Sequence, residues 1–243
     1  MGETKTLLLT GASRGIGHAT VMRFAREGWR VITCSRHPFP EKCPWGGGRE
    51  DHIVIDLADP NRTIEAIEGI RKKLGGRLHA LVNNAGISPK GPGGSRLSTL
   101  DTDLRTWGHV FHVNFFASIV LARGLMEELS AAKGAVVNVT SIAGSRVHPF
   151  AGAAYATSKA ALKALTREMA HDFGPMGVRV NAIAPGEIET SILSPGTEKI
   201  VETLPLRRLG QPREVADVIW FLCSDASSYV TGTEIEVNAG QHV

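Results

Sequence analysis

The sequence has few cysteines, and their arrangement excludes two kinds of site. Cys34, Cys43 and Cys223 are odd in number and lie far apart along the 243 residues. This spacing gives neither a disulfide framework nor the Cys-x-x-Cys pair of a structural metal site. We expect three isolated structural thiols, a reducing cytoplasm and no metal centre.

Long apolar runs are also missing. No stretch approaches the ~20 apolar residues that cross a bilayer, and the chain enters the strand-like Leu7-Leu8-Leu9 without a cleavable signal. Met1-Gly2-Glu-Thr-Lys-Thr6 matches an N-myristoylation pattern, but an acyl anchor is poorly placed directly before a core strand. We therefore predict a cytoplasmic protein without a membrane partner.

Charge of one sign does not dominate the chain. It carries 27 Lys and Arg residues against 24 Asp and Glu residues, a net charge of +3, and these residues are scattered. Because no basic block is present to neutralise phosphates, we expect no nucleic-acid partner. No charged or Ser/Pro-rich linker, repeat or low-complexity tract interrupts the chain, so residues 1–243 are predicted to form a single domain.

Short apolar runs alternate with longer segments that have apolar residues at helical spacing. The runs predict seven strands: Thr6 to Leu9, Arg30 to Cys34, His52 to Ile55, Ala80 to Val82, Ala135 to Val139, Arg179 to Ile183 and Ile235 to Val237. This alternation predicts an α/β, Rossmann-type three-layer fold, in which helices cover both faces of a seven-stranded parallel sheet. Ligands of such sheets bind beyond the carboxyl ends of the strands, where the strand order reverses.

Three segments have the composition of loops. Pro38 to Arg49 contains Gly46-Gly47-Gly48, and Ser88 to Gly94 is rich in proline and glycine, so both are predicted to be mobile connections. The third, residues 186–205, is polar and follows the sixth strand. Its position predicts a lid over a binding site.

A glycine-rich turn, Gly11-Ala-Ser-Arg-Gly15-Ile-Gly17, follows the first predicted strand and opens a helix. Its glycines permit a tight turn and bring the amino end of the helix against a phosphate, with Ser13, Arg14 and Ile16 beside it. The spacing is G-x-x-x-G-x-G rather than the dinucleotide fingerprint G-x-G-x-x-G. An ordinary strand–helix turn is therefore the alternative unless other positions support a cofactor.

The end of the second predicted strand supplies that support. Dinucleotide sites that prefer NAD place a carboxylate on the ribose about 20 residues after the glycines, and Ser35-Arg36 occupies this place. No carboxylate repels a 2′-phosphate there, and Arg36 with Arg14 could clamp it through charge-assisted hydrogen bonds. The sequence therefore favours NADP(H) over NAD(H), with solvated surface arginines as the alternative.

Tyr155-Ala-Thr-Ser-Lys159 has the i, i+4 spacing that places two side chains on one helix face. An ammonium close to a phenol favours the phenolate and lowers the pKa of the phenol. Tyr155 is therefore predicted to exchange a proton near neutral pH. A core tyrosine with a satisfied hydroxyl is the alternative.

These motifs stand in register with several others. They are Asn83-Asn84-Ala85-Gly86, Asn114, Ser141, Pro185-Gly186, Arg208-Leu-Gly-Gln-Pro-Arg-Glu-Val-Ala216, Val230-Thr-Gly232 and Val237-Asn-Ala-Gly240. Over essentially its whole length the chain resembles the compact, single-domain branch of the short-chain dehydrogenase/reductase family. Within that branch it looks most similar to the 3-oxoacyl thioester reductases.

The resemblance implies four catalytic residues. Tyr155 would donate or accept the proton at the substrate oxygen, while Lys159 would lower its pKa and hydrogen bond the nicotinamide ribose. Ser141 would hold the carbonyl oxygen as charge develops on it. Asn114, within an apolar helical run, would hold a water that relays protons to Lys159. A turn-forming serine and a helix-packing amide are the alternatives for Ser141 and Asn114.

Further cofactor contacts follow from the resemblance by position alone. They are Asp56 and Leu57 at the adenine edge, Asn83, Ala85 and Gly86 at the ribose, and Pro185, Gly186, Ile188 and Thr190 at the nicotinamide amide and diphosphate. Glu187 stands where many relatives have an apolar residue; it could face substrate or solvent, and exposure is favoured. His148 is a loop histidine that could touch substrate, although we expect it at the surface.

The implied function is hydride transfer between NADP(H) and a small-molecule carbonyl or secondary alcohol, in a homotetramer formed through the helices of Asn114 and Tyr155. A 3-oxoacyl thioester is one candidate substrate. However, Ala132 and Met176 stand where relatives that act on acyl carrier protein have basic residues, so ketones, sugars, steroids and other alcohols stay open. A catalytically idle NADP(H)-binding sensor or scaffold is the alternative function. A third possibility, a sugar-nucleotide epimerase of the longer related branch, would need about a hundred further residues for its substrate domain, so the chain is too short for it.

Overall fold

The computed structural model describes residues 3–39, 48–191, 193 and 196–243, and for Glu198 the backbone alone. Three sequence predictions lie outside these residues: the thiol of Cys43, the myristoylation pattern at Met1-Gly2, and most of the loop expected over Pro38 to Arg49. The other predicted loop, Ser88 to Gly94, is observed as a loop that ends in a 3-10 turn over Pro92–Gly94.

Seven parallel strands form one sheet in the described chain, in the order β3-β2-β1-β4-β5-β6-β7. They are β1 Thr6–Thr10, β2 Arg30–Ser35, β3 His52–Val54, β4 Ala80–Asn83, β5 Ala135–Val139, β6 Arg179–Pro185 and β7 Glu234–Val237. The predicted Rossmann-type α/β fold is thereby confirmed. The strand order reverses between β1 and β4, so their carboxyl ends mark the crevice where a ligand is expected.

Eight α-helices connect the strands of the described chain. They are α1 Gly15–Arg26, α2 Pro60–Leu74, α3 Leu104–Phe111, α4 Ala117–Gly124, α5 Met126–Ala132, α6 Ala153–Phe173, α7 Thr197–Val201 and α8 Pro212–Cys223. The bounds of α2 show how sequence sets helix ends. Asp59 accepts hydrogen bonds from the backbone of Asn61 and Arg62 at its start, Pro60 follows this cap, and Gly75 ends the helix in a left-handed conformation.

The core lies in two layers, one on each face of the sheet. Along β1, Leu8 packs in one apolar cluster while Leu7 and Leu9 pack in the other, because successive side chains of a strand point to opposite faces. The Leu8 cluster includes residues of α2, α4 and α6, and the Leu7 cluster includes residues of α1 and α8. Burial on both faces explains why the strands are continuous apolar runs.

Two of the cysteines belong to these layers. Cys34 and Cys223 are free and buried, and burial raises the pKa of each thiol to about 12. Thiols held in this neutral form are poor nucleophiles and poor metal ligands. Both therefore act as small apolar side chains in the core.

The helix between β4 and β5 contains an irregular turn. A π-helical turn, His112–Phe116, joins α3 to α4 and carries Asn114 on its buried side. Such single π-helical turns are frequent at functional sites. No single helix in the described ranges is long and apolar enough to cross a membrane; the segments 104–124 and 126–132, bent by 64° from one another, pass that test only as a pair.

Candidate active site

The glycine-rich turn between β1 and α1 packs against the end of β4. Gly11 has a φ of 69°, and a methyl group on it would lie 2.8 Å from the Ala85 Cα. A methyl group on Gly17 would lie 2.1 Å from the Gly11 carbonyl oxygen. Asn84 closes the turn by donating from Nδ2 to the carbonyl oxygens of Thr10 (3.0 Å) and Gly11 (2.9 Å). Glycine is therefore required at position 11 by conformation and space, and at position 17 by space.

The amino end of α1 opens into a cavity that the glycine-rich turn helps to line. Arg14, the residue that precedes the helix, makes no side-chain capping hydrogen bond, so the first N–H groups of α1 are free to bind an anion. Thr190 lies across the turn, since a methyl group on Gly15 would be 3.1 Å from the Thr190 Cγ2. Both Gly15 and Thr190 line the cavity.

Three basic side chains line the cavity near the end of β2. Arg14 and Arg36 are exposed, and within the described ranges neither has a hydrogen-bond or ion-pair partner. His37 lines the cavity beside them, a position that sequence reasoning missed although it directly follows Arg36. Ser35 donates from Oγ to the His37 carbonyl oxygen at 2.9 Å. Unpaired cations at this edge are chemically suited to a phosphate.

Four of the predicted ribose and adenine contacts line the cavity, namely Asp56, Leu57, Ala85 and Gly86. Asn83 is placed elsewhere: it is buried and donates from Nδ2 to the Asn138 Oδ1 at 2.9 Å, and Asn138 donates in turn to Thr166 of α6 at 3.0 Å. Neighbouring residues at the end of a strand point in opposite directions. Asn84 therefore takes the place in the cavity wall that was expected for Asn83.

A close contact between a turn and a helix brings Ser141 to Tyr155. Ser141 follows β5 and caps the 3-10 turn Ile142–Gly144, where it accepts a hydrogen bond from the Ala143 backbone at 3.2 Å. The turn packs tightly on α6, because a methyl group on Gly144 would lie 2.9 Å from the backbone nitrogen of Ala160. As a result, the Ser141 hydroxyl hydrogen bonds with the Tyr155 phenol.

The pKa of Tyr155 contradicts the sequence prediction. Burial, the largest cause, raises the pKa above the usual value for tyrosine, the hydrogen bond with Ser141 lowers it, and the negative charge of Glu187 raises it. The lowering expected from Lys159 is absent, since its Nζ lies 5.8 Å from the centroid of the tyrosine ring. Desolvation of the phenolate outweighs the ammonium at this geometry, so Tyr155 keeps its proton at neutral pH.

Lys159 is buried, with 2% of its surface exposed. Its Nζ donates to the Val139 carbonyl oxygen at 2.6 Å, and burial lowers the pKa of the ammonium to about 8. Gly86 lets the end of β4 approach it, because a methyl group there would lie 3.3 Å from the Nζ. Lys159 is thus a cation at neutral pH that loses its proton more easily than an exposed lysine.

Asn114 braces the loop after β4 against α6. Its Oδ1 accepts from the Ile87 backbone nitrogen at 2.8 Å, and its Nδ2 donates to the Ile87 carbonyl oxygen and the Ser158 Oγ, each at 3.0 Å. The Oδ1 lies 3.5 Å from the point where a Gly86 methyl group would be, close to Lys159. These contacts match the helix-packing interpretation. The water-mediated relay to Lys159 stays a prediction.

The segment after β6 is held in place from two sides. Gly186 donates from its backbone to the Val237 carbonyl oxygen at 3.1 Å, and Glu187 accepts at its carbonyl from the Gly210 nitrogen at 2.9 Å. The cavity is lined by the predicted contacts Pro185, Gly186, Ile188 and Thr190 and also by Ser191, Leu193 and Thr197. The lid predicted over residues 186–205 occupies this position, with 192, 194 and 195 outside the described ranges. Its closure stays a prediction.

His148 and Glu187 are buried, so the expectation that both are exposed is wrong. They are 9% and 7% exposed, and the His148 Nε2 lies 2.6 Å from the Glu187 Oε1. Phe150 donates from its backbone to the His148 Nδ1 at 3.2 Å, so the ring proton is on Nε2 and Glu187 accepts it. The two residues are distant in sequence, and their pairing depends on how the loop after β5 packs on the segment after β6.

Lys90 is a second cavity residue that sequence reasoning missed. It belongs to the loop Ser88–Gly94, and its Nζ donates to the Phe150 carbonyl oxygen. Burial lowers the pKa of Lys90, and the charge of Glu187 raises it. A lysine in a Pro/Gly-rich loop has no sequence signal that distinguishes it from a solvated lysine.

These groups surround one cavity of about 350 Å³ at the carboxyl edge of the sheet. The glycine-rich turn and the exposed arginines belong to the β2-β1-β4 side, whereas Ser141, Tyr155 and Glu187 belong to the β5-β6 side. The arrangement fits a dinucleotide laid across the edge with its reacting end beside Tyr155. Across the described ranges, no group of three or more His, Cys, Asp or Glu residues could hold a metal ion.

Known proteins resemble the chain along most of its length. Residues 11–242 match the family model described as enoyl-(acyl carrier protein) reductase. Protein FixR of Bradyrhizobium diazoefficiens is 62% identical over 245 residues, covering 100% of this chain and 88% of FixR. The 3-oxoacyl-(acyl-carrier-protein) reductase FabG of Thermotoga maritima is 36% identical over 98% of each chain. One similar crystal structure is that of an oxidoreductase of the short-chain dehydrogenase/reductase family from Brucella ovis, in complex with a partially ordered NAD. Its sequence is 62% identical, and the match has a TM-score of 0.85 and covers 97% of this chain and 100% of that one.

Proposed function

The chain belongs to the short-chain dehydrogenase/reductase family and is an oxidoreductase, and from this premise we propose that it transfers hydride between NADP(H) and a carbonyl or secondary alcohol, with Tyr155 as general acid or base. One observation carries the proposal. Ser141, Tyr155 and Lys159 meet at the wall of the same cavity into which the glycine-rich turn opens.

The β2-β1-β4 side of the cavity supports the binding of a nicotinamide dinucleotide. Gly11 and Gly17 let the turn pack against itself and the end of β4, and the free N–H groups of α1 that follow the turn would bind a diphosphate. Ala85, Gly86 and Ile188 would line the ribose and nicotinamide. When bound in its reduced form, the cofactor supplies the hydride.

Tyr155 supplies the proton in the reduction of a carbonyl. Its raised pKa keeps the phenol protonated at neutral pH, which is the form that a general acid requires. Ser141, hydrogen-bonded to the same phenol, is placed to donate to the substrate oxygen and to stabilise the negative charge that develops there. In the reverse reaction the same phenol, once deprotonated, would accept the proton of the alcohol.

Lys159 would bind the nicotinamide ribose in this arrangement. Because its pKa is about 8, it is an ammonium at neutral pH, and its Nζ lies beside the Tyr155 ring rather than at the hydroxyl. The Val139 carbonyl oxygen takes one of its three N–H groups, which leaves others for a ribose hydroxyl. Asn114 holds the Gly86 loop beside it and is a positioning residue in this scheme.

The proposed preference for NADP(H) rests on Arg14 and Arg36. Both are unpaired within the described ranges, and no carboxylate takes the place of Ser35 at the end of β2. A 2′-phosphate would accept charge-assisted hydrogen bonds from both guanidinium groups. The Brucella ovis structure contains NAD, so the two cofactors have to be compared directly.

A 3-oxoacyl thioester is a second candidate substrate, favoured by the 36% identity with FabG. Met176 stands in the place of a basic residue of relatives that act on acyl carrier protein, and it is partly exposed. Lys133 lies beside it, since a methyl group on Gly177 would be 3.3 Å from the Lys133 Cγ. The missing basic residue at 176 argues for a small substrate rather than a carrier-bound one.

The proposed homotetramer is supported by a face of aromatic side chains on α3 and the π-helical turn. Trp107 stacks on Phe111 with ring centroids 6.2 Å apart, Phe111 contacts Phe115 at 6.1 Å, and Phe115 contacts Phe116 at 5.2 Å. Phe116 is 43% exposed, and apolar faces of this kind are typical of subunit interfaces. Light scattering after size-exclusion chromatography should give four chains for the wild type and fewer for Phe116→Asp.

A panel assay tests the proposed activity. The purified protein is mixed with NADPH or NADH and a series of ketones, aldehydes and 3-oxoacyl thioesters, and loss of the reduced-nicotinamide absorbance is recorded. We expect turnover of at least one carbonyl class, faster with NADPH. Cofactor binding without turnover of any class would favour the idle sensor or scaffold instead.

A further inference from the structure

The substrate side of the cavity contains a buried carboxylate that the proposed hydride transfer does not use. Glu187 lines the cavity together with Tyr155 and Ser141, and its negative charge reaches the tyrosine phenol. Burying a carboxylate is costly unless its oxygens are hydrogen-bonded. The hydrogen bonds of each Glu187 oxygen therefore indicate what this side chain binds.

Hydrogen bonds on both sides hold the backbone of Glu187 in place. Its carbonyl accepts from Gly210 at 2.9 Å, Glu189 donates to the Gly210 carbonyl at 2.8 Å, and Gly186 donates to Val237 at 3.1 Å. Ile188 packs directly on Gly210, where a methyl group would lie 2.6 Å from its Cδ1. The carboxylate is thus presented by rigid backbone.

Only one oxygen of Glu187 is paired. Oε1 accepts the His148 Nε2 proton at 2.6 Å and lies 3.4 Å from the Gln241 Nε2. Within the described ranges, Oε2 has no hydrogen-bond donor. Because His148 receives a hydrogen bond on Nδ1 from Phe150, its ring is fixed and positions the carboxylate. The second oxygen is therefore free to accept a hydrogen bond from a molecule in the cavity.

Lys90 supplies hydrogen-bond donors to the cavity, whereas Glu187 supplies an acceptor. Its Nζ donates to the Phe150 carbonyl oxygen, which leaves two of its three N–H groups available, and it also lines the cavity. The charges of Lys90 and Glu187 cancel, so together they do not attract a net charge. Both residues line the same cavity, and the charge of Glu187 acts on Lys90. An acceptor and a donor in one cavity match a hydroxyl group, which can give one hydrogen bond and receive another.

We propose, building on the hydride-transfer function above, that Glu187 and Lys90 determine substrate specificity by binding a hydroxyl group next to the reacting carbon. The substrate class is a neutral α-hydroxy ketone or, in the oxidation direction, a vicinal diol, as found in sugars and polyols. Glu187 accepts the hydroxyl proton, Lys90 donates to the hydroxyl oxygen, and His148 is the positioning residue. Substrates without this hydroxyl leave both groups unpaired and are rejected for that reason.

Two ketones of similar shape test the proposal. In 3-hydroxy-2-butanone a hydroxyl replaces one methyl group of 3-methyl-2-butanone, and kcat/KM is measured for both with NADPH. We expect the wild type to prefer the hydroxy ketone by about 100-fold or more. The hydroxyl also changes the reactivity of the carbonyl, so the deciding quantity is the change in this ratio between wild type and variants.

Substitutions of the pair should reduce the ratio without stopping catalysis. Glu187→Leu and Lys90→Met should each lower it by about 10-fold or more, through a higher KM for the hydroxy ketone. Because Glu187 also raises the pKa of Tyr155, its loss changes the rate with both ketones, and the ratio between them removes this common effect. His148→Leu should act in the same direction, and His148→Gln, which keeps a donor for Glu187, should restore the ratio. Glu189→Leu is the matched control, because Glu189 is exposed, pairs with Gln211 and lies outside the cavity wall.

Three outcomes would overturn the proposal. An unchanged ratio in folded Glu187→Leu and Lys90→Met would show that neither residue selects the hydroxyl. Wild-type preference for the ammonium analogue 3-amino-2-butanone would show that the site binds cations. In both cases hydride transfer itself survives. Absence of turnover with either ketone, in a protein that reduces another carbonyl of the panel, would overturn this proposal alone. Absence of turnover across the whole panel would overturn the proposed activity as well.

Discussion

Lys159 donates to the Val139 carbonyl oxygen at 2.6 Å and lies 5.8 Å from the centre of the Tyr155 ring. The ammonium is therefore anchored to β5 and stands beside the tyrosine ring rather than at its hydroxyl. Burial consequently decides both pKa values: it raises that of Tyr155 and lowers that of Lys159 to about 8. The two groups are protonated together near neutral pH, which suits the reduction of a carbonyl.

Replacement of Tyr155 tests the proton donor. Tyr155→Phe should lower kcat by roughly 10²- to 10⁴-fold, the usual contribution of a general acid, while NADPH still binds. The measurements are steady-state rates and NADPH fluorescence. The chain has two tyrosines, and the other, Tyr229, is fully exposed, so Tyr229→Phe should behave like the wild type. A Tyr155→Phe variant that keeps most of its kcat would remove Tyr155 from the mechanism.

The buried ammonium of Lys159 should make stability depend on pH. Its folded pKa of about 8 lies below the usual lysine value of 10.5, so between these pH values the unfolded chain binds more protons than the folded one. Stability therefore rises with pH in this window. From pH 7 to pH 9.5 we expect a gain of about 2 kcal/mol from this group in urea unfolding of the cofactor-free protein.

Lys159→Met isolates that contribution. The variant should lose activity but gain roughly 2–3 kcal/mol of unfolding free energy at pH 7, because the desolvated charge is removed, and its advantage should shrink by pH 9.5. Lys72→Met is the control, since Lys72 is an exposed helix residue paired with Glu68 and should change stability by less than ~0.5 kcal/mol. A constant difference between wild type and Lys159→Met at all pH values would contradict the shifted pKa.

Arg36→Asp tests the proposed cofactor preference. The substitution removes a charge-assisted hydrogen bond and adds a charge that repels a 2′-phosphate, so the KM for NADPH should rise by about 10- to 100-fold. The KM for NADH should change by less than about threefold, because it has no phosphate at this position. Arg26→Asp, at the opposite end of α1, is the control. An unchanged NADPH to NADH ratio would exclude Arg36 from the phosphate site.

Two glycine-to-alanine substitutions should have opposite effects. In Gly17→Ala the new methyl group would lie 2.1 Å from the Gly11 carbonyl oxygen, so the turn must open. We expect the free energy of unfolding to fall by about 1–3 kcal/mol and NADPH binding to be lost. Gly69 is exposed within α2 and has nothing within 4 Å of a new methyl group. Gly69→Ala should raise the free energy of unfolding by about 0.5–1 kcal/mol. Thermal unfolding and calorimetric NADPH titration check both, and retained binding by Gly17→Ala would argue against the proposed diphosphate site.

The strands and the glycine-rich turn could be predicted because they depend on local pattern. Leu7, Leu8 and Leu9 are buried on alternate faces of β1, and a consecutive apolar run of this length is typical of a strand covered on both sides. Gly11 has the positive φ that favours glycine, and Gly17 has no room for a methyl group. Such constraints act within a few residues, so a single sequence displays them.

The direction of individual side chains was harder to predict. Asn83 and Asn84 are neighbours with the same chemistry, yet one bonds Asn138 in the core and the other closes the glycine-rich turn. A shift of one residue at the end of β4 would exchange them. His148 and Glu187 were expected at the surface because polar residues in loops are usually exposed, and tertiary packing places them against each other.

The sequence alone therefore determined the α/β architecture, the order of the motifs and many of the groups that line the cavity, because periodicity, glycine conformation and i, i+4 spacing are local properties. The tertiary structure decided the ionisation of Tyr155 and Lys159, the place of Asn84 and the grouping of Lys90, His148 and Glu187. These properties depend on burial and on distances between residues that are remote in sequence. Desolvation and pairing arise only when the strands and loops that carry them pack together.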